Sequence, residues 1–276
     1  MKIFAPARFL DQSTQPHITT LIALASISAL AMNIFLPSLP SMAAYYNTTP
    51  SIMSLSVAIY LGASALLQLF SGPISDRIGR RPVILISLIL FIIASLATIW
   101  APNAETFLAL RFVQAFAATT MVLSRAVVRD TVGKEAAASK IAYVTMGMAV
   151  APMIGPGIGG YLDKYFGWQA IFVLLAGLGI CIFILTWFDL GETAPKNKTS
   201  FSQQVIEYKQ LLKSQRFWGY CLASALGSGS FFIYLGGGPF EGTELFGLTP
   251  EQLGLYFGAP AMGYFAGNYM SGRWSQ

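Results

Sequence analysis

Charge is scarce in this sequence: only 11% of its 276 residues are Asp, Glu, Lys or Arg, against about 25% in a soluble domain. The charges are also missing from long stretches, and residues 83–101 carry none at all. A core helix of a soluble protein keeps a polar face at every turn. These runs keep none, and they are long enough to cross a bilayer. They also lack the strict alternation that barrel strands need. A chain whose backbone must satisfy itself in lipid is then helical. The expected fold class is an all-α, multi-span membrane protein.

Histidine occurs once, at His17, ahead of the first apolar run. No Ser–His pair, metal-ligand set or phosphate-binding loop can be assembled, which excludes the common enzyme classes. The two cysteines, Cys181 and Cys221, each lie inside an apolar run; their spacing supports neither a disulfide nor a metal site, and they read as small buried hydrophobes. A Gly-rich run, "GGGPF" at 236–240, reads as a helix break at the end of a span.

Eight apolar runs are present, near 18–37, 52–74, 83–101, 106–127, 138–162, 167–188, 216–238 and 251–272. Lys2 and Arg8 precede the first, which reads as an uncleaved helix rather than a signal peptide because further spans follow. All of the 17 Lys and Arg except Arg111 and Lys164 fall at the N-terminus or in alternate loops. The excess of basic residues on one side predicts a cytoplasmic N-terminus, cytoplasmic 71–82 turn and cytoplasmic C-terminus. It also accounts for the net charge of +5 without a nucleic-acid partner. Trp100, Trp168, Trp187, Trp218 and Trp274 fall at span ends, as interfacial belts predict.

The stretch beginning at Thr49 echoes one beginning at Thr249: Thr49, Pro50, Leu55, Ser71, Gly72 and Ser75 match Thr249, Pro250, Leu255, Ser271, Gly272 and Ser275. Thr-Pro suits a helix start, and Thr249 with Gln252 adds a capping box. A parallel six-helix repeat follows. The expected organisation is a complete six-helix bundle over 1–190, a linker over 191–215, and the first two helices of a second bundle over 216–276. Within the linker, Phe201, Val205, Tyr208 and Leu212 share one helical face, which reads as a helix joining the bundles.

The turn "SGPISDRIGRRP" concentrates charge between two apolar runs. Gly72 is expected to let the second span pack closely, and Gly79 to take the positive φ of a tight turn. Topology alone explains the sign of Arg77, Arg80 and Arg81, but not Asp76 or the glycines. The pattern Gly72-x-Ile74-x-Asp76-Arg77-x-Gly79-Arg80-Arg81 resembles the loop 2–3 signature of the major facilitator superfamily, in which the Asp and Arg form a cytoplasmic gate. In the fourth span Arg111 stands inside an apolar run, where a charge costs a few kcal/mol unless it faces a cavity or partner. The other reading is snorkelling toward the side that carries Glu105. Arg111 and Gln114 resemble a second signature of that superfamily, associated with proton coupling, with Ala115 at its Gly position. In the fifth span Gly147, Ala151, Gly155 and Gly159 recur every four residues, a smooth face for close packing, and Pro152 and Pro156 are expected to bend the helix. Gly155-Pro156-x-x-Gly159-Gly160 resembles a third signature, which implies a drug-for-proton exporter.

"MNIFLPSLP" resembles the start of the bicyclomycin/chloramphenicol-resistance (Bcr/CflA-type) branch. That branch has Asp where this chain has Asn33, which can hydrogen-bond substrate but cannot titrate. No Asp or Glu lies deep in any span, so coupling is expected elsewhere. Tyr60, Ser64 and Gln68 share one face of the second span, with interhelical hydrogen bonding weighing more than substrate contact; Tyr264 and Asn268 are their echoes in the repeat. The resemblance implies a transporter, not an enzyme, that exports drug-like small molecules across a bacterial inner membrane by alternating access. It implies a proton gradient as the energy source, no cofactor and a monomeric full-length form. Its site residues would be Asn33, Arg111, Gln114, Tyr60, Ser64 and Gln68 in the path, and Gly72, Asp76, Arg77, Gly79, Arg80 and Arg81 at the gate. Gly147, Gly155, Pro156, Gly159 and Gly160 would control packing of the fifth span. The family has twelve helices and this chain supplies eight. A fragment, a shortened transporter and assembly with a second chain are the readings of that difference; a non-transporting scaffold or receptor-like protein is the alternative function.

Overall fold

The structure, a computed structural model, describes residues 7–194, 209–256 and 263. Among them, seven helices are long and apolar enough to cross a membrane. The elements are α1 (Ile18–Asn33), a 3₁₀ turn (Leu36–Ser38), α2 (Leu39–Tyr45), α3 (Pro50–Ile78), α4 (Arg80–Thr98), α5 (Ala104–Gln114), α6 (Ala117–Thr131), α7 (Lys134–Phe166), α8 (Gln169–Asp189) and α9 (Gln215–Phe246). No strand occurs among the described residues.

The helix starts follow local chemistry. Thr49 Oγ1 accepts from the Ile52 N–H at 3.4 Å, with Pro50 in the first turn. Thr249 and Gln252 close the expected capping box, at 3.0 and 3.4 Å, at the start of a helical segment over 250–256. Each cap satisfies N–H groups that have no intrahelical partner. The first span ends in the 3₁₀ turn because Pro37 and Pro40 cannot donate to the preceding turn. The fourth is divided into α5 and α6 at Ala115 and Phe116.

α1 packs against α6, α7 and α8; α4 packs against α5, α6 and α8; α3 packs against α5 and α6. One apolar cluster, including Phe35, Tyr60, Phe107 and Phe172, fills the end away from the basic turn. A second, including Leu24, Leu88 and Val127, fills the basic end. α9 touches α2, α3 and the 3₁₀ turn through its far half, where Leu235 and Phe240 are buried. Its first half, from Arg216 to Gly227, is exposed along most of its length, as Tyr220, Leu222 and Leu226 are. The two parts of the chain therefore meet at the end opposite the basic turn.

Three expectations change. α9 runs through "GGGPF" with Pro239 inside it. Membrane helices tolerate Gly and Pro inside them; here Thr243 Oγ1 adds a hydrogen bond to the Pro239 carbonyl at 2.9 Å and Ser54 Oγ one to the Gly236 carbonyl at 3.0 Å. Its stop is Gly247, at φ 63°, with Gly247 and Leu248 N–H groups closing back on Thr243 and Gly242. Cys181 and Cys221 are free and exposed rather than buried, on helix faces that in a membrane protein meet lipid or other helices. Trp168 is 4% exposed and packs among Tyr45, Tyr46, Phe107 and Phe172 rather than standing in a belt. α7 carries both Pro152 and Pro156 inside it, where each removes a backbone donor. The linker face of Phe201, Val205 and Tyr208, the echoes Tyr264 and Asn268, and most of the eighth apolar run lie outside the described residues.

Candidate functional site

At the basic end, α3 stops at Gly79, whose φ of 118° and ψ of 149° fall in a region only glycine enters easily. That sharp exit lets α4 begin at once and turns Arg80 back under α3. Arg80 is 7% exposed. Its Nη2 pairs with Asp76 Oδ1 at 2.6 Å and its Nε with Asp130 Oδ2 at 2.9 Å, while Nη1 reaches Ser75 Oγ. Glu192 lies against the start of α4, accepting from the N–H of Arg80 at 2.8 Å and of Arg81 at 3.3 Å. A carboxylate there meets both the free N–H groups and the positive end of the helix dipole. Arg81 Nη2 donates to the Trp187 carbonyl at 3.0 Å and its guanidinium lies 5.0 Å over the Trp187 ring. Arg77 also makes an interaction. Asp189, fully buried, accepts from the N–H groups of Leu10 and His17 and from Thr20 Oγ1, holding the segment before α1 across this end. Among the described residues a β-carbon at Gly72 would meet nothing within 4 Å.

At the centre, Arg111 is completely buried and does not snorkel. Its guanidinium is held between the rings of Phe35 and Tyr60, at 4.2 and 4.6 Å. Nη1 donates to Gln114 Oε1 at 2.6 Å and to the Ala31 carbonyl at 3.3 Å. Gln114 in turn donates to Ser95 Oγ at 3.1 Å, and Tyr60 to the Ser28 carbonyl at 3.1 Å. Arg111, Gln114 and Tyr60 therefore form one polar cluster between α1, α3, α4 and α5. Asn33 is 1% exposed, and its amide nitrogen is engaged by the Ala29 carbonyl of its own helix at 2.7 Å. Ser64 is buried with its hydroxyl unpartnered; Gln68, half-buried, lies farther along α3.

The small-residue face of α7 lies on α1. A β-carbon at Gly147 would overlap Ile22, at Gly155 it would come 3.1 Å from Leu30 Cδ1, and at Gly159 it would overlap the Ile34 carbonyl. Gly160 and Pro156 face the other way. Gly160 leaves no room for a β-carbon against the Pro250 carbonyl, and Gly254 leaves none against the Pro156 carbonyl. Beside them Lys164 pairs with Glu251.

Sequence reading did not single out Asp130, Asp163, Asp189 or Glu192. Each lies at or beyond a helix end, and their partners are far along the chain. No group of three His, Cys, Asp or Glu that could hold a metal occurs among the described residues.

The model of the Major Facilitator Superfamily matches residues 21–276. The chain belongs to the major facilitator superfamily. Superfamily members are transporters rather than enzymes, and this one is a multi-pass membrane protein. It is 34% identical over 256 residues to the MFS-type transporter YdgK of Bacillus subtilis (strain 168), covering 91% of this chain and 64% of that protein. It is 30% identical to a bicyclomycin resistance protein homolog of Haemophilus influenzae, over 90% of this chain and 63% of the other. It is 37% identical to a chloramphenicol resistance protein of Pseudomonas aeruginosa, over 75% and 50%. The expected resemblance to that branch is thus found, and the chain spans between half and two thirds of the length of these relatives. Among solved structures, a bacterial homolog of the human lysosomal transporter Spinster, inward-facing and unoccupied, superposes with a TM-score of 0.72 at 16% identity, over 93% of this chain and 62% of the other. A D-xylose-proton symporter superposes at 0.67 and 15%, over 92% and 66%. Both likenesses concern the fold.

Proposed function

We propose that this protein exports small amphipathic, drug-like molecules across the bacterial inner membrane. Export proceeds by alternating access in exchange for protons, with no cofactor. The two units are the bundle over 1–190 and the start of a second over 216–276, joined by the linker over 191–215. The basic end faces the cytoplasm by charge asymmetry, and the full-length protein works as a monomer.

The observation that carries this reading is the junction of the two units. Close backbone contacts at Gly160 and Gly254, with the Lys164–Glu251 pair, join them at the outer end. Alternating access requires a state closed at that end, and contacts of this kind would close it. The drug-resistance names of the relatives support the substrate class. Arg111, Gln114 and Tyr60 contribute the polar core of the path, with Asn33, Ser64 and Gln68 along it, and Asp76, Arg77, Arg80 and Arg81 form the cytoplasmic gate.

The test is accumulation of a lipophilic dye or chloramphenicol in cells expressing the protein. The expected result is lower accumulation that a protonophore abolishes. Equal accumulation with and without protein that is inserted in the membrane would overturn the reading.

A further inference from the structure

The helices around Arg111 leave its charge unmatched. Of the four that form its cluster, α1 and α4 carry no acid. Asp76, the acid of α3, is paired with Arg80 at the basic end, and Glu105, the acid of α5, stands exposed at the start of that helix. Within the same span α6 adds a second cation, Arg125, and its acid, Asp130, is also taken by Arg80. Asp163 and Asp189 lie at the two ends of the bundle, held by Ser41 and by the segment before α1. The middle of the bundle is therefore positive, which favours anions.

The hydrogen bonds of Arg111 use one nitrogen, Nη1. Nε and Nη2 are buried and meet no acceptor. These two nitrogens form one edge of the guanidinium, and their parallel N–H groups match the two oxygens of a carboxylate. The rings of Phe35 and Tyr60 cover the guanidinium faces, so a partner for that edge lies in its plane. On α3, Ser56 and Ser64 stand one turn either side of Tyr60, on the same side of the helix. They are 0% and 6% exposed, with hydroxyls that meet no partner and can each donate one hydrogen. Buried polar groups without partners cost free energy, and a buried charge costs more. An anion that accepts from these donors relieves both costs.

We propose that Arg111 binds the carboxylate of an apolar ligand from outside the chain, held in the guanidinium plane by Nε and Nη2. The apolar cluster of Phe35, Tyr60, Phe107 and Phe172 around it suits an apolar body on that carboxylate. Arg111 has no exposed surface, so the ligand enters as the helices around it part. A halide offers the fork one point instead of two, and a neutral amide offers one oxygen and turns its own donors toward the others. That the carboxylate is cargo rests on the exporter reading, where it narrows the substrates to amphipathic acids; the binding itself does not.

The experiment is equilibrium binding of radiolabelled benzoate to the purified full chain in detergent. The expected result is saturable binding that unlabelled benzoate displaces, and that benzamide and chloride at the same concentration do not. Arg111→Met should weaken it by about tenfold or more. Arg111→Lys, which keeps the charge without the fork, should recover only part of the loss. No saturable binding to the parent would overturn the proposal, and so would equal affinity in Arg111→Met or displacement by benzamide. Displacement by chloride would also overturn it, by making the site one for any small anion. The competitions are read on the parent and decide the matter even where a variant fails to fold. If benzoate binds as expected and cells expressing the parent export no dye, the exporter reading fails and the site stands. If they export chloramphenicol and the protein binds no benzoate, the site fails and the exporter reading stands.

Discussion

Arg80, 7% exposed, has two carboxylates on its guanidinium, and they come from residues 4 and 50 positions away. Removing one partner of a buried charge costs about 1–3 kcal/mol, and leaving the charge wholly unpaired costs about 3–5 kcal/mol. Asp76→Asn and Asp130→Asn should therefore each lower unfolding stability modestly, and the double variant should lose more than the sum; thermal unfolding in detergent measures this. The turn's own half of the cluster was legible because charge in so apolar a chain stands out. Asp130 and Glu192 were not, because Glu192 lies 112 residues from the N–H it caps and no local pattern announces a partner at that distance. Arg111 argues in the opposite direction. It sits between Phe35 and Tyr60 with Nε and Nη2 unpartnered, and buried charge of that kind is often exchanged for an apolar side chain at no loss of stability. Arg111→Met should unfold at the same temperature as the parent or higher while losing export. A variant that unfolds earlier and still exports would remove Arg111 from the path.

The helix α7 shows which glycines the packing uses. Gly159 faces the Ile34 carbonyl with no room for a β-carbon, whereas Gly157, on another side of the same helix, has nothing within 4 Å among the described residues. Alanine is the better helix former by about 1 kcal/mol. Gly157→Ala should therefore be neutral or slightly stabilising. Gly159→Ala should force α1 and α7 apart and lower the unfolding temperature; equal effects at the two positions would show that the stripe carries no packing role. This element was readable in advance because small residues every four positions mark one helix face whatever surrounds it. α9 was misread because Gly and Pro break helices in water, where solvent competes for the backbone, and in lipid they need not. The division between α5 and α6 at Ala115 and Phe116 has neither Gly nor Pro to announce it.

The junction between the two units combines backbone contact with an ion pair, and magnitudes separate their shares. Lys164 and Glu251 remain 41% and 38% exposed, and a pair that open contributes about 0.2–1 kcal/mol, a factor of about 1.4 to 5 in an equilibrium between closed and open ends. The carbonyls of Pro250 and Pro156 lie where β-carbons at Gly160 and Gly254 would stand, so a side chain there cannot be accommodated without parting the helices. Closure should therefore depend weakly on the pair and strongly on the glycines. Ser54, whose hydroxyl bonds the Gly236 carbonyl at 3.0 Å, supplies the reporter. Ser54→Cys with Gly236→Cys, in a background with Cys181 and Cys221 changed to Ser, should be joined by a short bis-methanethiosulfonate cross-linker. Reversing one charge, Lys164→Glu, should slow cross-linking by no more than about tenfold, allowing for like-charge repulsion. Adding Glu251→Lys should restore the rate, while Gly254→Leu should abolish cross-linking in either charge background. If charge reversal alone abolishes it and Gly254→Leu does not, the latch is electrostatic and the glycines only fill space.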